Sequence, residues 1–356
     1  MRATRLALAA VLASVLLAAC GGGDSEPAGD AIVMTRNLYL GAPIEPVLAL
    51  TSPDAIPGEA LRLWNTVVAS DIPGRARAVA AEIAALQPDL VGLQEATLWR
   101  TQSPADPLSA ATHVEYDFVT LIVDELAARG LRYDPVAVSL NFDAELPASD
   151  GNPLTAIDVR MTDRDVILAR SGVPVRDAAD GRYTARVGFD LAGTIPLSIP
   201  RGWTSVVATV AGGTFRFVNT HLEIGTFEPI QVLQAQELTG VLASSALPTI
   251  VVGDLNSNAI AGGGDNTPSY GIVTGAGFND LWATLHPAEP GLTCCQDGSL
   301  RNTTSTLFER IDLILHRGGF QPSSADVVGE APADRTASGL WPSDHAGVVG
   351  ALRPPR

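Results

Sequence analysis

TIVVGDLN, residues 249–256, is a run of β-branched side chains that stops at Gly253 and leaves Asp254 and Asn256 two positions apart. A short β-branched run closed by glycine reads as a buried strand. Residues two apart in extended chain share a face. The stretch therefore predicts a strand that carries a carboxylate and an amide to its C-terminal end. A lone Gly-Asp pair is as easily an ordinary turn, so the reading depends on whether other strands end in the same way.

Several do. AIVMTRN at 31–37 reads as a strand ending at Asn37, and LVGLQ at 90–94 as one ending beside Glu95. Ser205–Val210, a Gly212-Gly213 turn and Phe215–Thr220 predict a β-hairpin whose second strand runs into His221. Ile311–Leu315 contains Asp312, and Ala346–Leu352 follows Ser343-Asp344-His345. Tyr133–Leu140 and Asp165–Ala169 read as further strands, with a polar, turn-rich stretch through Pro147, Gly151 and Pro153 between them. Helical spacing is found over Gly74–Leu86, Phe118–Arg129 and Pro229–Leu242. Helices alternating with strands and hairpins predict a mixed α/β architecture with partly antiparallel sheets.

Polar residues at strand ends gather on one rim of a sheet, where sites are built. Their types suit one chemistry. Asn37, Glu95 and Asp344 offer oxygen ligands to a hard cation, Mg2+ with Mn2+ or Ca2+ as alternatives. His221 and His345 can donate to a phosphoryl oxygen or move a proton. Asp254 and Asn256 can hold and deprotonate a water. Singly, each residue is as readily a solvated acid or a structural donor. No GxSxG nucleophile elbow is present, which argues against a serine hydrolase.

In this order the pieces are recognisable. MTRNLYLG (34–41), PDLVGLQEA (88–96), FRFVNTHLE (215–223), QAQEL (234–238), IVVGDLNS (250–257), GFNDLW (277–282), RIDLIL (310–315) and SDHAGVV (343–349) span almost the whole mature chain. Together they resemble the endonuclease/exonuclease/phosphatase superfamily, which includes DNase I-like nucleases, sphingomyelinases and inositol-polyphosphate phosphatases. The resemblance implies a four-layer α/β/β/α sandwich of two mixed, mainly antiparallel sheets over residues 31–353, and a metal-dependent phosphoesterase. It implies metal-site roles for Asn37, Glu95 and Asp344, with Asp344 also able to handle a proton. It further implies charge stabilisation by His221, water orientation by Asp254 and Asn256, and a catalytic His345 oriented by Asp312. At 161–165, where many members carry Tyr or Glu, this chain has Met-Thr-Asp-Arg-Asp; Arg164 is either a phosphate ligand or a surface ion-pair partner. In place of an aromatic pair before the RID strand it has Thr293-Cys294-Cys295, whose two cysteines form a disulfide or stay as buried thiols.

The N-terminus predicts a location. Arg2 and Arg5 precede an apolar run that closes on Leu17-Ala18-Ala19-Cys20. That is a signal peptide over residues 1–19 with a lipoprotein-type cysteine at Cys20, followed by a Gly/Ser/Pro tether to Asp30. The expected location is therefore extracytoplasmic, with a lipid anchor at the membrane. The chain of 356 residues has 39 acidic and 23 basic side chains, every basic one an arginine, and a net charge of −16. A surface this acidic disfavours tight polyanion binding. The substrate expected is a phospholipid headgroup, a nucleic acid or a small phosphoester. The rival reading is a catalytically silent binding lipoprotein on the same scaffold.

Overall fold

The computed structural model describes residues 29–356; the leader, Cys20 and most of the tether lie outside the described residues. In chain order, β1 (Ala31–Asn37) is followed by α1 (Glu45–Leu48), α2 (Ile56–Ala69) and α3 (Ile72–Leu86). Next come β2 (Leu90–Gln94), β3 (Leu98–Gln102), β4 (His113–Asp117), α4 (Phe118–Ala128), β5 (Tyr133–Ala148) and β6 (Ile157–Arg170). The second half holds β7 (Val175–Arg182), β8 (Val187–Leu191), β9 (Ile195–Ile199), β10 (Gly202–Val210), β11 (Gly213–His221) and α5 (Glu228–Ala243). It ends with β12 (Thr249–Asp254), α6 (Pro268–Gly275), β13 (Asn279–Asp280), α7 (Leu281–Leu285), β14 (Asp312–Arg317), β15 (Gln321–Val328) and β16 (Gly347–Arg353).

Two large mixed sheets result. One is eight-stranded in the order β15-β16-β1-β2-β6-β3-β4, with β5 also on β6. The other is six-stranded in the order β13-β14-β12-β11-β10-β7. Their inner faces close on each other through Val33, Leu90 and Ile167 from one side and Phe215, Phe217, Ile250 and Ile314 from the other. The outer face of the first sheet buries Met34, Val91, Leu93 and Leu168 under Trp64, Val79, Ile83, Phe118 and Ile122 of α2, α3 and α4. The outer face of the second buries Val218, Val251 and Leu313 under Ala235, Leu238 and Val273 of α5 and α6. This is the expected four-layer sandwich. One stretch departs from expectation: the polar run after Leu140 is strand as far as Ala148, paired with β6 back to Ile157. The register shifts between Leu140 and Asp143, and at and beyond that shift Asp143 stands exposed while Phe142, Ala144 and Leu146 line an apolar crevice.

Strand pairing explains why the rim residues meet. β1 and β2 are parallel with Asn37 opposite Gln94, so Asn37 and Glu95 leave the sheet together. β11 and β12 are parallel with His221 opposite Asp254, and β12 and β14 are antiparallel with Asp254 opposite Asp312. β16 lies antiparallel to β1 with Val348 opposite Thr35, which puts the loop at 343–345 at the same end. A buried amide cluster fixes the two sheets to each other just beneath this rim. Asn219 donates to the carbonyls of Leu93 and Val166, and Gln94 donates to Asn219 Oδ1 at 2.6 Å. Gly253 is needed here. Its φ is +145°, and a Cβ would lie 1.9 Å from the carbonyl oxygen of Thr220, so only glycine lets β12 approach β11 this closely.

Candidate active site

Asp254 is the hub. Its Oδ1 accepts from the Asn256 backbone N–H at 2.8 Å, and its Oδ2 accepts from Asn37 Nδ2 at 3.1 Å. The same Oδ2 lies 3.5 Å from His221 Nε2 and 3.8 Å from His345 Nδ1. Burial, then the neighbouring Asp312, pushes the Asp254 carboxyl up to about 6. A carboxylate in that range is a better proton acceptor near neutrality than an exposed aspartate.

The two imidazoles are tuned in opposite directions. His345 Nδ1 is 2.9 Å from Asp312 Oδ2. Burial pulls its pKa down, but Asp312, Asp344 and Asp254 together outweigh burial and hold it well above the ordinary histidine value. His221 is pushed well below that value by burial, then by Arg201 and His345. Arg201 Nη1 stands 3.1 Å from His221 Nδ1, and His221 Nε2 lies 3.0 Å from Asn256 Nδ2 and 3.5 Å from Asp254 Oδ2. The rim thus pairs a charged imidazole with a neutral one.

The residues expected to hold metal stand beside this hub. Asn37 Oδ1 accepts from the Tyr39 N–H at 2.9 Å, and Glu95 Oε2 from the Leu40 N–H at 2.7 Å. Burial, then Asp344 and Asp163, pushes the Glu95 carboxyl up to about 8. Asp344 is raised by burial, against the pull of His345 and Arg75. Buried carboxyls of which one raises the other, beside the oxygen of Asn37, fit a hard divalent cation that would neutralise them. A second grouping, Asp254, Asp312 and His345, also offers ligand atoms within 4.8 Å of one another. Within it the Asp312–His345 hydrogen bond uses Asp312 Oδ2 and His345 Nδ1 and leaves Asp312 Oδ1 without a partner.

Buried arginines brace the loops. Arg75 donates to the carbonyls of Leu38, Tyr39 and Pro342, tying the loop after β1 to the 343–345 loop. Arg36 donates to the His345 carbonyl and pairs with Glu82. Thr293-Cys294-Cys295 stitches the remaining edge. Thr293 N–H donates to Glu309 O, Ala346 N–H to Thr293 O, and Thr293 Oγ1 accepts from the Asp312 N–H. Cys294 and Cys295 are joined to each other as a disulfide, and Cys294 Sγ lies 3.7 Å from His345 Nε2.

Arg164 is placed elsewhere, which corrects the phosphate-ligand expectation. Its Nε donates to Ala96 O at 2.7 Å and its Nη2 to Asp117, the N-cap of α4. Alternation along β6 turns it away from its neighbours Asp163 and Asp165. Nor is it an ordinary surface pair, since its side chain is 12% exposed. Arg164→Gln is expected to cost roughly 1–2 kcal/mol of stability while KM for a small diester stays within twofold of wild type. A chemical melt beside steady-state kinetics checks this, and a tenfold rise in KM would restore the phosphate-contact role.

The structure adds residues that the sequence reading missed: Arg201, Asp163 and Glu223. Arg201 is one step before β10, and the pairing of Gly202 with His221 carries it to the imidazole. A hint existed, since extending the hairpin register outward from its Gly-Gly turn puts the residues before Gly202 beside those after His221.

The sequence matches the endonuclease/exonuclease/phosphatase family over residues 64–345. No curated protein matches it. Among solved structures, it is similar to an endonuclease/exonuclease/phosphatase from Beutenbergia cavernae, with 21% identity and a TM-score of 0.54 over 92% of this chain and 72% of that one. A family protein from Leptotrichia buccalis aligns at 14% identity and TM-score 0.52, covering 90% of this chain and 99% of that one. D. rerio TDP2 complexed with a single-strand DNA product aligns at 15% identity and TM-score 0.53, covering 91% and 98%. At these identities the likenesses speak to the fold, and the sequence match over most of the chain speaks to the family. The chain belongs to the endonuclease/exonuclease/phosphatase family.

Proposed function

We propose that the protein is a Mg2+-dependent phosphodiesterase that cleaves a P–O bond by attack of an activated water, and that it works outside the cytoplasm on a lipid anchor at Cys20. The observation that carries the chemistry is the position of Asp254. Its carboxylate touches Asn37 and the Asn256 backbone and lies against both imidazoles. Asp254 takes the proton of the attacking water, which Asn256 helps to orient. His221, held neutral, donates its one ring N–H to a non-bridging oxygen. His345, held charged by Asp312, stabilises charge as it builds and protonates the leaving oxygen. Asn37, Glu95 and Asp344 would hold the metal, which supplies charge neutralisation at the phosphoryl group. A net charge of −16 favours a substrate with few charges over a polynucleotide.

The test is hydrolysis of bis-p-nitrophenyl phosphate by the wild-type protein and by Glu95→Gln. Turnover should depend on Mg2+, vanish in excess chelator, return with added Mg2+, and fall at least about a hundredfold in the variant. Turnover untouched by chelator would defeat the metal-dependent reading. A folded protein that binds Mg2+ and turns over nothing would favour the silent binding protein.

A further inference from the structure

A cavity of about 440 Å3 opens directly from the reacting centre. Its polar floor is Glu95, Asp163, Arg201 and Glu223, and of these only Arg201 is cationic. Its walls are mainly hydrocarbon, from Leu40, Leu48, Phe142 and Phe227 with Ala49 at the exposed mouth, and Glu45 and Thr226 add a carboxylate and a hydroxyl. Behind it lies a narrower crevice of about 50 Å3, lined only by apolar side chains and sharing Ile44, Leu48, Phe142 and Met161 with the main cavity. Phe227, 38% exposed, stands at the open side.

Arg201 has unused capacity. Its side chain is 13% exposed, its Nη2 is 3.5 Å from Glu223, and its buried Nε has no partner. A buried guanidinium with a free donor beside a phosphoryl site suits one anionic oxygen. It offers nothing to a series of phosphates, which a polynucleotide needs. Glu45 and Thr226 are the polar exceptions on the walls, so the polar edge of a nucleobase placed against Leu48, Phe142 and Met161 would lose its hydrogen bonds. A hydrocarbon chain loses none, and it gains by leaving water.

We infer that this cleft is the subsite for an aliphatic substituent of the substrate, with Arg201 holding a phosphoryl oxygen at its entrance. The substrate class is then an amphiphilic phosphoester, one phosphate bearing a hydrocarbon chain. The inference rests on the phosphoesterase reading above and narrows it.

The experiment uses p-nitrophenyl alkyl phosphates from methyl to octyl. With wild-type protein, kcat/KM should rise roughly two- to fourfold per added methylene over the first several carbons. In Ala49→Trp, which narrows the mouth, and Phe227→Ser, which removes an exposed apolar wall, the octyl-to-methyl ratio should fall by at least about tenfold. Equal kcat/KM along the series in wild type overturns the subsite while leaving the phosphoesterase reading intact. Should no ester be turned over, that reading fails, and calorimetry with butyl and octyl phosphate decides the subsite. Tighter octyl binding, weakened in both variants, supports it, and equal affinities overturn it. Phosphatidylcholine vesicles run beside the soluble series identify the source. Headgroup release from vesicles places the chain in a bilayer lipid, and turnover of the soluble octyl ester alone places it in a free amphiphile; both support the class.

Discussion

His345→Ala is expected to lower kcat by on the order of 10³–10⁴-fold, with the thermal transition and Mg2+ binding retained. The size follows from what the imidazole must do. It is held charged in a buried place, where burial alone would strip its proton, because Asp312 sits 2.9 Å from Nδ1 and Asp344 and Asp254 add their fields. A cation bound at Asp344 cancels part of that field, which leaves Asp312 as the main support. Asp312→Asn should therefore lose roughly 10²–10⁴-fold as well. It puts an amide, with its own donor, opposite a ring nitrogen that must donate. The distinguishing readout is the pH profile. With the carboxylate gone the imidazolium is less favoured, so the limb that reports loss of the catalytic proton should move to lower pH. Wild-type turnover in His345→Ala would remove this residue from the mechanism, and a reduced rate with an unmoved limb in Asp312→Asn would reduce Asp312 to scaffolding.

How much of this was legible beforehand depends on whether the cause is local. The strands ending at Asn37, Gln94 and Asp254 could be read because β-branched runs closed by Gly or a polar residue are local patterns, and their chemistry sits in the next one or two residues. Arg201, Asp163 and Glu223 could not be read as easily. Each is an ordinary charged residue until strand register brings it to Glu95 or His221, and register is non-local. Arg164 shows the converse. Its neighbours face the cavity or the buried Asn141, while a period of two turns it the other way. The extension of β5 past Leu140 was hidden because an edge strand tolerates Asp143 and Glu145 on its open face. Asn219 lies within FRFVNTHLE, yet its work as the amide that joins the two sheets depends on Leu93 and Val166, which are distant in sequence.

Chelating the divalent metal is expected to destabilise the protein, and to do so more at pH 8 than at pH 5. Glu95 is pushed up to about 8 by burial and then by Asp344 and Asp163, and Asp254 to about 6 by burial and then Asp312. Unfolded, both carboxyls titrate near 4. The metal-free native state therefore binds protons that the unfolded state has released, so ν_N exceeds ν_U and stability falls as pH rises. The loss begins near the unfolded values and is complete once pH passes the folded ones, a window from about 4 to about 8. Metal binding selects the ionised carboxylates and removes the repulsion that raised them, so its stabilisation grows across the same window as proton competition fades. The difference between the two pH values should be about 2–4 kcal/mol, or roughly 3–6 °C in the metal-induced shift of Tm. Scanning calorimetry with Mg2+ and with chelator at both pH values measures it. Glu95→Gln carries no charge to repel, so its metal-free form should be more stable at pH 8 than the metal-free wild type and its response to Mg2+ much smaller. A metal-induced shift of the same size at pH 5 and pH 8 would mean that neither Glu95 nor Asp254 is a group the cation neutralises.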